Sequence, residues 1–345
     1  MPNHDIVVIG ASAGGVTALR ELVGGFRVAF PASAFVVLHL PPYATSALPQ
    51  ILDRGGPVKA VAAVDDAPVQ PGRIYVAPPD CHLTIEDGRV RVSRGPKWNR
   101  YRPAIDVLFR SAAVAYGPRV VGIVLSGSLD DGSLGLASIK AHGGTTIVQD
   151  PAEALFPGMP GNALDRVEID YCLPLGEIPA VLTELVDGRS SQPEKGRLKE
   201  VARMEESAAT GEDIESVPGL IDEQQDGPPS VYTCPECHGS LWQVETGNLK
   251  HYQCRVGHSY SPESLFGAQG EALEAGLWAA LRALEERIDL ATRLEREALH
   301  AGRSHSATHY RERIGAASKS AEVVRTALQL SLKGQEVDIE SESTA

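Results

Sequence analysis

Short runs of apolar, often β-branched residues recur through the first half of the chain, and several do not alternate with polar residues. These runs are 5–9, 34–38, 73–76, 120–125 and 145–148. Unalternated apolar strands are typical of a parallel sheet that is covered on both faces. Helical patterns lie between the strands, at 16–23, 103–115 and 133–141. This alternation predicts an α/β fold over residues 1–186, with a doubly wound, mostly parallel sheet.

The pattern changes after residue 186. Residues 187–230 are rich in acidic residues, serine, glycine and proline and contain few apolar residues. Such a composition cannot bury a core, which predicts a disordered linker. A compact segment, 231–267, then collects three cysteines and three histidines.

A helical region is predicted at 268–335, because apolar residues recur there at three- and four-residue steps. They are Leu277, Leu281, Leu284 and Ile288. We expect a helical hairpin, followed by an acidic tail at 336–345. The stripe, with Trp278 beside it, forms either a local core or the face of a homomeric coiled coil, which would make the chain a homo-oligomer. Docking of another partner is the alternative.

Composition and charge exclude several classes of protein. The 345 residues carry 32 basic and 45 acidic side chains, a formal net charge of −13. This balance argues against binding to nucleic acid or anionic lipid, which needs clustered basic residues. No run approaches the roughly 18 apolar residues of a membrane span, and the first residues lack the basic segment of a signal peptide. Clustered cysteines favour a metal site in a reducing compartment, so we expect a cytoplasmic protein.

The first candidate for chemistry is Ser12, within Gly-Ala-Ser-Ala-Gly-Gly at residues 10–15. The motif directly follows the first strand and precedes a helix. Small residues permit a sharp turn that exposes the serine hydroxyl beside the N–H groups of the helix start. This arrangement suits a nucleophile next to an anion-stabilising site. It also suits phosphate or dinucleotide binding, or a plain structural turn.

Two further polar positions follow strands. His39 ends the second strand, and Asp130 and Asp131 follow the strand 120–125. An aspartate there can cap the next helix, or it can orient His39 to remove the Ser12 proton. Catalytic groups collect at the carboxyl ends of strands in open α/β sheets, so three such ends point to a Ser-His-Asp site.

These motifs resemble the catalytic domain of CheB-type chemotaxis protein-glutamate methylesterases. The resemblance runs from about residue 5 to 186. Besides the Ser12 motif and the His39 strand end, it rests on five stretches. They are 73–82 (RIYVAPPDCH), 102–113 (RPAIDVLFRSAA), the Asp131-Gly132 turn, 143–151 (GGTTIVQDP) and 157–160 (PGMP).

The resemblance implies roles for three residues. Ser12 would be the nucleophile, His39 the general base and then acid, and Asp131 the orienting carboxylate, because the aspartate of the family immediately precedes the glycine. The implied reaction hydrolyses glutamate γ-methyl esters on a receptor-like or signalling protein, without a catalytic cofactor. Members of the family can also deamidate glutamines.

The chain departs from the family in three places. Ser126-Gly-Ser-Leu-Asp130 replaces the frequent Thr-Gly-Met-Gly-Asn, which puts Ser128 near the oxyanion site. The chemotaxis enzymes carry a receiver domain before the catalytic domain; because Ser12 stands so early in this sequence, we expect no receiver domain and a different mode of regulation. The C-terminal half is additional.

A second constellation predicts a structural zinc site. Cys234 and Cys237 form a C-x2-C pair, and after sixteen intervening residues Cys254 and His258 supply a second pair. Two such pairs at this spacing are typical of tetrahedral zinc in a ribbon. His238 or His251 could replace His258. The alternative is three buried or redox-active cysteines. With few basic residues in the segment, we expect a structural or protein-contact role, not binding to nucleic acid.

The sequence therefore favours a protein-glutamate methylesterase. The alternative is a non-catalytic scaffold of a chemotaxis or two-component pathway, whose α/β domain binds a partner while the ribbon and helices mediate assembly. A dinucleotide-binding protein is a third hypothesis, but the glycine spacing and the histidine at the end of the second strand do not match that motif.

Overall fold

The computed structural model describes residues 4–43, 46–188, 228–246 and 249–342. The chain divides into two compact units between Leu265 and Phe266. Most of the predicted linker, 187–230, lies outside the described residues, so its predicted disorder stays a prediction.

A seven-stranded parallel sheet forms the centre of the first unit. Its strands are β1 (Ile6–Ala11), β2 (Ser33–Leu38), β3 (Lys59–Ala62), β4 (Arg73–Val76), β7 (Val120–Val124), β8 (Thr145–Gln149) and β9 (Tyr171–Leu173). The strand order is β3-β4-β2-β1-β7-β8-β9, and every pair is parallel. Two further strands, β5 (His82–Glu86) and β6 (Arg89–Ser93), form a separate antiparallel hairpin. The chain thus starts in the middle of the sheet, builds one side and then the other.

Helices cover both faces of this sheet. They are α1 (Gly15–Gly24), α2 (Leu48–Gly55), α3 (Ile105–Tyr116), α4 (Ser133–Ala141), α5 (Gly158–Arg166) and α6 (Ile178–Val186). Alternate residues of β1 point to opposite cores: Val7 and Ile9 pack with α1, α2 and α6, whereas Ile6 and Val8 pack with α3, α4 and α5. Because both faces are buried, the strands read as continuous apolar runs, as the sequence indicated.

The α/β fold predicted for the first half is confirmed. All five apolar runs are strands, and the helix at 133–141 has the predicted bounds. The strands β5 and β6 form the local hairpin that Glu-Asp-Gly at 86–88 predicts. The strands β3 and β9 and the helices α2, α5 and α6 had not been predicted. β3 and β9 are short edge strands; one residue of β3 is buried and none of β9, so their apolar patterns are weak. Helix α5 begins with Gly-Met-Pro-Gly, a sequence that propensity assigns to a turn.

The cysteine-containing segment folds as a four-stranded antiparallel sheet. Its strands are β10 (Pro229–Thr233), β11 (Ser240–Thr246), β12 (Leu249–Cys254) and β13 (Ser259–Tyr260). The next helix, α7 (Pro262–His300), begins inside the predicted segment 231–267. Ser261 precedes it, with Pro262 at its first position and Glu263 in its first turn, which is a favourable helix start. We call residues 229–260 the Cys/His module.

The second unit is a helical hairpin, as predicted. Helix α7 turns at Gly302, which has a φ of 67°, into α8 (Ser304–Glu342). Helix α8 is longer than expected and extends into the predicted tail 336–345, whose glutamates favour helix.

The apolar stripe packs inside this hairpin. Leu277, Leu281, Leu284 and Ile288 contact Ala321, Val324 and Leu328 of α8. The stripe therefore forms a local core, and it gives no support to the predicted homo-oligomer. Trp278 lies outside that core with 51% of its surface exposed. None of the helices formed by the described residues combines the length and apolar character that a membrane crossing requires.

Candidate active site

The three residues singled out in the sequence lie at the same edge of the sheet. Ser12 follows β1, His39 follows β2, and Asp131 lies beyond β7. These strands are neighbours, in the order β2-β1-β7. The chain reverses its direction of winding between β1 and β7, which makes this edge a topological switch point, the usual position for a site in such sheets.

A tight turn presents Ser12 at this edge. Gly14 precedes α1 with a φ of 72°, a left-handed conformation that glycine adopts without strain. A Cβ at Gly15 would lie 2.7 Å from a methyl carbon of Leu38, so glycine lets the helix start close to the sheet. The Ser12 N–H donates to the Ser126 carbonyl at 3.0 Å and ties this turn to the one after β7. The serine is therefore held by its backbone, independently of its hydroxyl.

His39 lies between the other two residues. Its Nδ1 is 3.1 Å from Ser12 Oγ, and its Nε2 is 2.7 Å from Asp131 Oδ2. The imidazole stacks on the ring of Tyr101, with centroids 3.6 Å apart and planes inclined by 7°. The side chains of His39 and Asp131 are only 3% and 1% exposed. This burial strengthens the interaction between them, because little water screens it.

Asp131 is surrounded by hydrogen-bond donors. Its Oδ2 also accepts the Ile105 N–H at 2.7 Å, and its Oδ1 accepts the Asp106 N–H and the Asn99 side-chain amide, both at 3.1 Å. Burial alone would oppose the charge, but His39 and these donors hold the pKa of Asp131 below its usual value. The carboxylate is thus kept ionised and fixed in orientation.

A second buried carboxylate, Asp106, lies beside Asp131 and was not identified as a site residue from the sequence. Its Oδ1 accepts the N–H groups of Gly132 and Gly135, at 2.9 and 2.7 Å, and its Oδ2 accepts the Asn99 amide at 2.8 Å. Burial, and then the charge of Asp131, raise the pKa of Asp106 well above its usual range. The signal in the sequence was an acid within an otherwise apolar helical run, 104–109.

Asp130 points away from His39. Its carboxylate contacts Arg166 Nη1 at 2.7 Å and the Ser261 hydroxyl at 2.8 Å. The structure therefore puts Asp131, and not Asp130, next to the imidazole. Burial raises the pKa of Asp130 to about 6, although Ser261 and Arg166 oppose that shift.

This shift gives a stability prediction. Because the pKa of Asp130 is higher in the folded protein than in the unfolded chain, the folded state binds the proton more tightly. The free energy of unfolding of the wild type should therefore fall, relative to that of Asp130→Asn, as the pH rises from about 4 to about 6. The expected change is at most about 3 kcal/mol. Urea denaturation of both proteins across this pH range measures it, and a difference that does not vary with pH would contradict the assignment.

Two backbone N–H groups at and near Ser12 already donate hydrogen bonds within the protein. Ser12 N–H donates to Ser126, and Gly127 N–H donates to the Phe156 carbonyl at 3.0 Å. A Cβ at Gly127 would lie 2.1 Å from Met159 Sδ and 2.8 Å from Ser12 Cβ, so Met159 fills the space beside the serine. Donors for an oxyanion would have to come from other groups, such as the N–H groups that follow Gly15 in the first turn of α1.

The predicted metal ligands also come together. One ligand atom from each of Cys234, Cys237, Cys254 and His258 lies within 4.8 Å of the others. Cys237 Sγ is 3.6 Å from Cys254 Sγ, and His258 Nδ1 is 3.6 Å from Cys234 Sγ and 3.5 Å from Cys254 Sγ. Tetrahedral coordination at zinc bond lengths separates such atoms by roughly 3.5–3.8 Å. The donor set and its spacing therefore fit a tetrahedral metal.

The two alternative histidines lie elsewhere. His238 is exposed, and the His251 ring lies 5.9 Å from the Trp98 ring. Burial, and next the charge of Arg110, lower the pKa of His251 to about 4. His258 is the histidine that shares the cluster with the three cysteines.

Known proteins resemble the first half of the chain. A protein-glutamate methylesterase/protein-glutamine glutaminase of Methanosarcina mazei is 36% identical over 191 residues, 53% of this chain and 52% of that protein. A putative one of Leptospira interrogans is 35% identical over 184 residues, 53% of this chain and 95% of that protein. The protein-glutamate methylesterase FrzG of Myxococcus xanthus is 35% identical over 187 residues, 54% of this chain and 56% of that protein. The chain thus spans about half the length of the first and third of these relatives.

A solved structure is also similar to the first half of the chain. The crystal structure of the Thermotoga maritima CheB methylesterase catalytic domain superimposes with a TM-score of 0.51 and 36% sequence identity, and the match covers 53% of this chain and 98% of that one. A profile of the CheB methylesterase family matches residues 7–182. That segment contains the sheet, Ser12, His39 and Asp131. The chain therefore belongs to the CheB methylesterase family of carboxylic ester hydrolases.

Proposed function

We propose that this chain is a protein-glutamate methylesterase, which hydrolyses glutamyl γ-methyl esters with Ser12 as nucleophile, His39 as base and Asp131 as orienting carboxylate. One observation carries the proposal: the continuous path of hydrogen bonds from the Ser12 hydroxyl through His39 to Asp131. A nucleophile, a base in contact with it and a third group that orients the base are the parts that acyl transfer requires.

In the first half of the reaction, Ser12 Oγ attacks the ester carbonyl carbon while His39 Nδ1 takes the hydroxyl proton. Asp131 stabilises the imidazolium, because its carboxylate contacts His39 Nε2 at 2.7 Å. The tetrahedral intermediate collapses when His39 returns the proton to the leaving oxygen, which releases methanol. The glutamyl group then remains esterified to Ser12.

In the second half, His39 removes a proton from water, which attacks the acyl-enzyme carbonyl. The bond to Ser12 Oγ breaks, the serine regains its proton from His39, and a free glutamate carboxylate leaves. The stacking of Tyr101 on the imidazole keeps the ring plane constant through both halves. The same steps with an amide release ammonia, so we include glutamine deamidation in the proposal.

We further propose that the substrate is a methylated, receptor-like signalling protein in the cytoplasm. Exposed apolar side chains beside the serine support a protein substrate. Leu155 is 73% exposed and lies beside Gly14, and Phe156 is 41% exposed. An apolar contact surface next to the reactive group suits a protein segment better than a small polar ester.

Methanol release from a methylated chemoreceptor fragment tests the proposal. The wild-type chain should release methanol in proportion to the glutamates that become unesterified, as measured by mass spectrometry of the fragment. Ammonia release from the unmethylated fragment tests deamidation. A wild type that leaves methylated receptor fragments unchanged, while a catalytic domain from a related methylesterase demethylates them, would contradict the substrate proposal.

We also propose that the Cys/His module binds one structural zinc ion through Cys234, Cys237, Cys254 and His258. The module has too few buried residues to fold by apolar burial alone, so the metal would supply much of its stability.

Cys234→Ser should therefore lose zinc and also lose the slow amide exchange of β11 and β12. Cys172→Ser, which changes an exposed cysteine outside the cluster, is the matched control. Mass spectrometry under native conditions should find about one zinc per wild-type chain. Less than half an equivalent in carefully purified wild type would count against the site.

A further inference from the structure

A strained loop lies beside the proposed catalytic aspartate. Asn99 and Arg100, between β6 and α3, have φ angles of 48° and 73°. Two consecutive non-glycine residues in the left-handed region cost free energy, and such a conformation persists only where its surroundings impose it. Asn99 is also 3% exposed, so its polar groups need partners within the protein.

The partners of the Asn99 backbone come from the last strand of the Cys/His module. The Asn99 N–H donates to the Ser259 carbonyl at 2.8 Å, and the Ser259 N–H donates to the Lys97 carbonyl at 3.3 Å. Trp98 and Ser259 form a parallel bridge. The strained loop thus pairs with β13, the strand at the edge of the module's sheet.

The Asn99 side chain connects the start of α7 to the active site. Its Oδ1 accepts the Ser261 N–H at 2.9 Å and the Ser264 hydroxyl at 3.1 Å. Its Nδ2 donates to Asp131 and to Asp106. The amide cannot be reversed without directing its oxygen at the ionised carboxylate of Asp131 and its NH₂ group at the Ser261 N–H, so the α7 start sets the orientation in which it serves Asp131.

Other contacts reinforce this junction. They are Lys97 with Glu236 at 2.6 Å, Arg166 with Glu263 at 2.5 Å, Asp130 with Ser261 at 2.8 Å, and Trp98 with Leu249 in an apolar cluster. Charged, polar and apolar contacts together indicate a specific junction between the module and the α/β domain.

We infer that the segment Ser259–Ser264 is a clamp that holds Asn99, and that Asn99 is a positioning residue for Asp131. This inference rests on the proposed function and deepens it. The amide donates to both buried acidic side chains, Asp106 and Asp131, and it is one of the donors that keep Asp131 ionised. If the clamp is lost, Asn99 can rotate, Asp131 loses a donor, and the hydrogen bond from His39 changes. The end of the Cys/His module and the start of α7 thereby act on catalysis through Asn99.

Asn99→Gly tests the inference without adding backbone strain, because glycine adopts a positive φ freely. We expect kcat to fall about 10- to 100-fold, as for the loss of a hydrogen bond to a charged group, with KM changed less than about twofold. Ser264→Ala, which leaves Asn99 in place, should lower kcat in the same way by a smaller factor. Lys97→Ala removes a contact of the same junction that does not reach Asp131, and it should leave kcat unchanged.

The low-field proton resonance of the His39 N–H that faces Asp131 gives a second measurement that needs no substrate. It should shift or broaden in Asn99→Gly and Ser264→Ala, and stay unchanged in Lys97→Ala, while circular dichroism shows all three folded. Folded Asn99→Gly and Ser264→Ala variants with the wild-type resonance would overturn the inference. A change of the same size in the His39 resonance of Lys97→Ala would also overturn it. A wild type that is inactive on every tested ester would contradict the proposed function. The His39 resonance would still test whether the clamp positions Asn99 and Asp131, because it needs no substrate.

Discussion

Ser12→Ala is expected to abolish methanol release and to leave the domain folded. The nucleophile in an acyl-transfer site acts as a unit with its base, so kcat should fall by about 10⁴-fold or more. The backbone of the turn does not depend on the hydroxyl, because the Ser12 N–H donates to Ser126 and the Ser12 carbonyl accepts the Gly15 N–H at 2.9 Å. Wild type and variant should be assayed side by side on the same methylated receptor fragment, with thermal unfolding measured for both.

Ser133→Ala provides a matched control. Its hydroxyl is buried and has no hydrogen-bond partner among the described residues. Removing it should change neither kcat nor stability by more than a small amount. Turnover of Ser12→Ala at the wild-type rate would show that another group is the nucleophile, whereas equal loss in both serine variants would indicate a general defect.

The sequence could locate the three central residues because each follows a strand whose apolar pattern is unambiguous. The parallel sheet then brings the ends of β1, β2 and β7 together. The strand pattern alone could not distinguish Asp131 from Asp130, since both residues follow the same strand. The resemblance to the family favoured Asp131, and the structure shows why the two differ: one carboxylate faces His39 and the other faces Arg166.

Asn99 and Tyr101 could not be found in this way. They lie in a loop in which the left-handed Asn99 is hydrogen-bonded to Ser259, Ser261 and Ser264, more than 150 residues further along the chain. A local sequence pattern cannot predict a contact between residues that are so far apart in the chain. The cysteine spacing predicted the cluster for the opposite reason, since the ligands of a small module are close in sequence. That the module packs against the loop beside Asp131 could be learned only from the structure.

Asp131→Asn is expected to lower kcat by about 10⁴-fold, the effect typical of replacing a triad aspartate by its amide. The carboxylate oxygens accept four donors, from His39, Ile105, Asp106 and Asn99. An amide at this position has one oxygen only, so its NH₂ group must face at least one of those donors. Either His39 is forced into the wrong tautomer or the backbone of α3 loses its acceptor.

Asp130→Asn is the matched control, because it changes the adjacent residue in the same way. Its amide oxygen still accepts the Ser261 hydroxyl, and Arg166 keeps Glu263 as an ionic partner. We expect kcat within about threefold of the wild-type value, since Asp130 does not contact His39. The same methanol assay measures both variants. Greater loss in Asp130→Asn than in Asp131→Asn would move the catalytic carboxylate by one residue. Equal and large losses would mean that the ion pair with Arg166 is as important to the site as the contact with His39.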